Sequence, residues 1–341
     1  MRVLLAGGAG YIGSHTAVAL TEAGHEVVIV DNFVNSSSTV VDRIQDITGA
    51  FIPFCSVDVR DEAAFLTAVR EHAPIDAVIH LAGLKSVGDS VADPLEYYSV
   101  NVGATTSLMK VVVDEAIPIV IFSSSATVYG NPSSLPLTEW SPTGVDLTNP
   151  YGWSKQFGER IIRDVTVAHP QLSATALRYF NPVGADPSGL IGESPDGIPN
   201  NLMPYIVRVA AGSAAFLGVF GNDYPTPDGT GLRDYIHVSD LAAGHVAALE
   251  NAKVGFHAYN LGTGNPVSVM ELITAFETAT GMPVPRRMLP RRPGDVAVSY
   301  CDPSLARREL GWYAIQTIAE ACRDSWNWHS RNPAGYSGLA G

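Results

Sequence analysis

The sequence predicts an α/β protein, a doubly wound parallel sheet followed by a smaller, mixed α/β C-terminal domain. Three observations carry this. Short apolar strands alternate with helical patterns from the first residues to Ser123. A glycine-rich turn joins the first strand to the first helix. Beyond residue 180 the chain becomes rich in Pro, Gly, Asp and Asn, with aromatic residues interleaved.

Taken in order, Arg2–Ala6 reads as a buried strand and Gly7–Gly13 as a turn. Ile12–Ala23 reads as a helix closed by Gly24. Glu26–Val30 is a second strand with Asp31 at its tip, and Phe51–Val57 a third. Glu62–Glu71 is a helix, Asp76–Leu81 a strand, Pro94–Glu115 largely helical and Pro118–Ser123 another strand. Such alternation implies a parallel sheet whose right-handed crossovers bring the post-strand loops to one edge, where ligands bind. Further helices are expected over Leu202–Gly212, Val238–Asn251, Val269–Thr280 and Ile318–Arg331. The segments 182–201 and 221–231 read as long ordered loops. A boundary near 180 divides the chain into a domain over 1–180 and another over 181–341, with 238–262 a candidate to pack back on the first.

Composition narrows the function. The 341 residues are 46% hydrophobic and 16% charged, which excludes a disordered or fibrous chain. A net charge of −13 argues against nucleic-acid binding. No run of about 18 apolar residues is present, so no membrane span is expected, and the N-terminus lacks a signal-peptide pattern. The three cysteines, Cys55, Cys301 and Cys322, are far apart without metal-ligand spacing, so no metal site is expected and a reducing, cytoplasmic setting fits.

Gly7-x-x-Gly10-x-x-Gly13 follows a strand and opens a helix. The first glycine permits the tight turn, the second lets amides approach a pyrophosphate, and the third lets the helix lie close to the sheet. Free amides and the helix dipole then favour phosphate at the helix N-terminus. This is the signature of a Rossmann dinucleotide site. Asp31 would accept from the adenosine ribose 2′-hydroxyl and repel a 2′-phosphate, so NAD is expected over NADP.

Tyr151 and Lys155 share one face of a helix that Pro150 can start. To act as a base near neutrality the phenol must fall from a pKa of about 10 to near 7, about 4 kcal/mol of preferential phenolate stabilisation. A lysine ammonium supplies part of this, and an oxidised nicotinamide more. Ser125, just beyond an apolar strand, could bridge substrate and Tyr151.

The two-residue gap between the first two glycines resembles the extended short-chain dehydrogenase/reductase family. That resemblance implies cofactor contacts from Tyr11, Ile12, Asn32, Asn35 and Ser36, from the acidic–apolar pair Asp58-Val59 at the adenine, and from the strand end Leu81-Ala82-Gly83. It also implies a holding role for Asn101. From the residues alone, Asp58 could equally cap the helix beginning near Asp61, and Asn101 could be a polar helix contact.

The segments Gly7–His15, Leu84–Ser90, Pro94–Tyr98, Leu177–Gly184, Pro199–Tyr205, Gly221–Thr226 and Arg233–His237 resemble the UDP-glucose 4-epimerases of that family, and the similarity runs to about residue 336. The resemblance implies a tightly bound, regenerated NAD, proton transfer by Tyr151 at the sugar 4-hydroxyl, and a 4-keto sugar that turns while UDP stays anchored. Its implied anchors are Asn181 toward the diphosphate and sugar, Asn201 and Leu202 toward the diphosphate and uridine, and Phe220 along the uracil. Arg233 and Arg292 would hold the diphosphate and Asp295 the uridine ribose, while Lys85 and Phe180 lie nearer the cofactor. Ser299 stands where a bulky tyrosine goes with restriction to UDP-glucose and UDP-galactose, so N-acetylated UDP-hexoses are also expected to react. Ala126 and Thr127 replace the acidic pair of related 4,6-dehydratases. A homodimer is implied, to which Leu108, Val111 and Val112 of Pro94–Glu115 could contribute, with plain core packing the alternative.

Overall fold

The structure is a computed structural model that describes residues 1–195, 197, 199, 201–292 and 295–336. Its first lobe runs β1 (Arg2–Ala6), α1 (Tyr11–Glu22), β2 (Glu26–Asp31), α2 (Thr39–Thr48), β3 (Phe54–Ser56), α3 (Glu62–Glu71) and β4 (Ala77–His80). It continues through α4 (Val87–Ala92), α5 (Pro94–Tyr97), α6 (Gly103–Asp114), β5 (Ile119–Ser125), α7 (Pro150–Ala168) and β6 (Ser173–Tyr179). The remainder is β7 (Asn181–Val183), α8 (Leu202–Ala210), β8 (Leu217–Phe220), β9 (Leu232–His237), α9 (Val238–Glu250), β10 (Gly255–Leu261) and β11 (Pro266–Ser268). It ends with α10 (Val269–Thr280), β12 (Arg286–Leu289), β13 (Val298–Ser299), α11 (Ser304–Leu310) and α12 (Ile318–Arg331).

Seven parallel strands form the main sheet in the order β10-β6-β5-β4-β1-β2-β3. Its strands are apolar on both faces because helices cover both. One core layer joins Leu5, Ile29, Ile121 and Leu177 to α1, α2 and α9, and the other joins Leu4, Val78 and Val120 to α3 and α6. The second lobe wraps Ile206, Leu272, Phe276 and Cys322 of α8, α10 and α12 around the short strands β8 and β9. Residues 238–261 leave that lobe: α9 packs on α1, and β10 pairs in register with β6 from Gly255↔Ser173 to Leu261↔Tyr179.

Several elements differ from expectation. Pro94–Glu115 is interrupted by a π turn at Tyr98–Val102. Helices α2 and α4 and strand β6 were not anticipated. Leu108, Val111 and Val112 are wholly buried in the first-lobe core, so they are packing residues and not part of a free surface. The exposed apolar groups nearby are Val91, Leu95 and Phe157.

Candidate active site

The glycine turn is held by steric necessity. Gly7 has φ +84°, and a Cβ there would lie 2.5 Å from Ala82 N; one on Gly13 would lie 2.3 Å from Gly7 O. At Gly10 a Cβ would meet only Gly7 O, at 3.5 Å, so this face of the turn is open. Gly10 is also the N-cap of α1, with no side chain capping the helix and no acidic group in its first turn. An uncapped, open helix N-terminus is what a dinucleotide pyrophosphate requires, so the residues present fit NAD. Asp31 ends β2 nearly buried; its carboxylate accepts from Ala9 N (3.0 Å), Phe33 N (2.9 Å) and Ser36 Oγ (2.9 Å). It therefore fixes the turn from the tip of β2.

The flanking residues are braced too. Asn32 donates to Asp58 at 3.1 Å, and hydrogen bonds from Arg60 foremost hold the Asp58 carboxyl down at about 2, while Val59 is buried. Leu81 and Ala82 both donate to Ala6 O. Asn101, buried in the π turn, accepts from Leu84 N (2.8 Å) and donates to Leu84 O (3.0 Å) and Ser154 Oγ (2.9 Å), locking the loop that carries Gly83. Ile12 lies in the first turn of α1; Asn35 is exposed in the loop after β2. The Tyr11 hydroxyl donates to Gly184 O at 2.8 Å and so ties the turn to the second lobe.

Tyr151 and Lys155 stand on the first turns of α7, which Asn149 caps by accepting from Gly152 N at 2.8 Å. Ser125 closes β5; its Oγ accepts from Thr127 N and is hydrogen-bonded to Tyr151. Burial pushes the Tyr151 phenol up to about 12, and the Ser125 bond offsets this only in part. Burial brings Lys155 down to about 8, and its Nζ donates to Ser123 O at 2.7 Å, 5.9 Å from the centre of the Tyr151 ring. In the protein alone, burial outweighs the part of the lowering that Lys155 was expected to supply. A part-buried phenol loses solvation of its anion, and one ammonium committed to a carbonyl does not restore it.

Behind Ser125 lies a buried network with no signal in local spacing. Glu159 on α7 accepts from Ser124 Oγ (2.6 Å) and from Arg178 Nε and Nη2 (2.9 and 2.8 Å). Arg178 Nη1 also donates to Tyr129 Oη, which donates to Asn260 Oδ1 at 2.6 Å. Phe180 lies in the adjoining core with Val128, Leu137 and Cys301. Another unforeseen residue is Glu193, which accepts from Lys85 Nζ at 2.6 Å and from Asn201 Nδ2 at 3.0 Å, joining the two lobes.

In the second lobe a cleft of about 410 Å³ brings together Asn181, Asn201, Leu202, Phe220, Arg233, Arg292 and Asp295. The Arg292 guanidinium stacks 3.8 Å from the centre of the Phe220 ring. Arg233 lies 3.5 Å from Asp295 and donates to Leu232 O. Two forked cations beside an apolar ring suit a diphosphate carrying a flat base. Ser299 pairs with Arg233 across β13 and β9.

Residues 3–262 match the NAD dependent epimerase/dehydratase family. The chain is 52% identical to the UDP-glucose 4-epimerase of Bacillus subtilis (strain 168) over 338 residues, 98% of this chain and 99% of the relative. It is 51% identical to the UDP-glucose 4-epimerase of Bos taurus over 343 residues, 98% of each chain. The crystal structure of UDP-glucose 4-epimerase from Bifidobacterium longum in complex with NAD+ and UDP superposes with a TM-score of 0.95 at 52% identity, covering 98% of this chain and 100% of that one.

Proposed function

The chain belongs to the NAD dependent epimerase/dehydratase family, and from that premise we propose that it is a UDP-glucose 4-epimerase interconverting UDP-galactose and UDP-glucose. The observation that carries the reading is Tyr151, hydrogen-bonded to Ser125 and one helical turn from Lys155, in a protein that also builds an open glycine cradle and a two-arginine cleft.

Gly7, Gly10, Gly13, Asp31 and the Asn101-braced loop hold the dinucleotide. Bound NAD supplies a reversible hydride acceptor for the sugar C4 and, when oxidised, a positive charge. Tyr151 Oη takes the proton of the sugar 4-hydroxyl and later returns it to the 4-oxygen. Ser125 Oγ orients both oxygens by hydrogen bonding. Lys155 contributes a charge that favours the phenolate, opposing the burial that pushes the phenol up. Arg233 and Arg292 grip the diphosphate, Phe220 covers the uracil, and Asp295 accepts from the ribose. The sugar, held by fewer groups, is free to turn as a 4-keto species and present its other face.

We infer from the small Ser299, which neighbours Arg233 across β13 and β9, that UDP-N-acetylhexosamines are also substrates. Val91, Leu95 and Phe157, exposed around α4, α5 and α7, supply the face of a homodimer, which sedimentation at twice the chain mass would support and at the single-chain mass refute. Free cysteines support a cytoplasmic location.

The test is Tyr151→Phe assayed with UDP-galactose, product resolved by NMR. Turnover should fall about 10²–10⁴-fold with UDP still bound; turnover within tenfold of the parent would refute the assignment of the base.

A further inference from the structure

Seventeen residues apart in sequence, Cys55 and His72 meet at the free edge of the main sheet. Cys55 is on the edge strand β3, Glu71 ends α3, and His72 caps that helix at its C-terminus. Cys55 Sγ lies 3.4 Å from His72 Nε2, and a Glu71 carboxylate oxygen lies within 4.8 Å of both. All three are electron-pair donors. Among the described residues Glu71 forms no ion pair, and its carboxylate stands at the negative end of the α3 dipole, where a cation is favoured. Nearby Arg2 is already committed to Glu26.

The backbone beneath is fixed. His72 N donates to Val69 O and Ala73 N to Arg70 O, both at 3.3 Å. Arg2 Nη1 donates to the carbonyls of His72 and Ala73 at 3.1 and 3.3 Å. Only side-chain torsions remain to be ordered by a ligand.

We propose that Cys55, Glu71 and His72 form a site for one thiophilic divalent cation of the zinc class, with water completing the shell. Tetrahedral zinc with sulfur at about 2.3 Å and imidazole nitrogen at about 2.0–2.1 Å places those atoms about 3.6 Å apart, close to the separation found here. The carboxylate reaches the ion by rotating about its own side chain. Thiolate and imidazole select zinc, cobalt or cadmium over magnesium or calcium. On binding, the Sγ–H bond is replaced by an Sγ–metal bond and the proton leaves to solvent; no oxidation state changes. Cys301 and Cys322 are fully buried, so Cys55 is the thiol open to an ion.

The probe is Co²⁺, titrated into the intact, cofactor-bearing protein after chelator treatment. A thiolate-to-cobalt charge-transfer band should rise to one equivalent and be displaced by Zn²⁺. It should vanish in Cys55→Ser and need about tenfold or more extra metal in His72→Gln. Zn²⁺ should raise the Tm of the parent and not of Cys55→Ser, while UDP-galactose turnover of Cys55→Ser without metal stays at the parent level. Absence of the band in the parent, or an equal band in Cys55→Ser, would overturn the site.

Discussion

In the first lobe the glycine cradle is made of backbone braced by buried side chains, and in the second the cleft is made of side chains. Gly7 and Gly13 leave no space for a Cβ, Asp31 holds three internal donors, and Asn101 grips both the N–H and the C=O of Leu84. The cleft instead carries its charge on Arg233 and Arg292, long side chains on short or irregular segments, one near Asp295 and one stacked on Phe220. A cradle of this kind is complete before its ligand arrives and suits a cofactor that stays. A cleft of this kind must exchange internal partners for the ligand's phosphates and suits a substrate that comes and goes.

The sharpest way to break the contrast is Gly13→Ala. The added methyl meets Gly7 O at 2.3 Å, backbone against backbone, so the turn must open. Cofactor should be lost completely on purification, read from the absorbance of the released nucleotide. Retention at the parental level would mean that the cradle is not rigid.

Next in size is Glu159→Ala. It leaves the buried Arg178 guanidinium without its bidentate partner and frees Ser124, the neighbour of Ser125. Stripping one member from a buried pair costs about 3–5 kcal/mol, measurable by urea unfolding. A loss below about 1 kcal/mol would show that the network does not hold the strand end.

The smallest effect sharpens the other side of the comparison. Ser299→Tyr should leave UDP-galactose conversion within a few fold and remove conversion of UDP-N-acetylgalactosamine, followed by chromatography. Equal conversion of both by the variant would place sugar selection elsewhere in the cleft.

The same contrast governs what could be read in the sequence. The glycine turn, Asp31 and the Tyr151–Lys155 pair are local constraints with fixed spacing, and β1, α3, α10 and α12 fall where periodicity and caps place them. Strand β6 escaped because all seven residues of Ser173–Tyr179 are buried and no alternation remains; its Arg178 reads as solvent-facing until Glu159 neutralises it. Helix α2 hides in a β-branched run, Thr39-Val-Val, whose intrinsic preference opposes a helix. Glu193 sits in a Gly/Pro-rich loop, and nothing near it in sequence marks its bonds to Lys85 and Asn201. Residues that act through distant partners leave no local trace, which is also why Cys55 and His72 carry no recognisable spacing.

The most direct measurement is the purified protein, given UDP-galactose and no added NAD, with product identified by NMR. A preformed cradle that retains and regenerates its cofactor predicts UDP-glucose at a steady rate that added NAD does not raise. No UDP-glucose from folded protein, with or without NAD, would contradict the account.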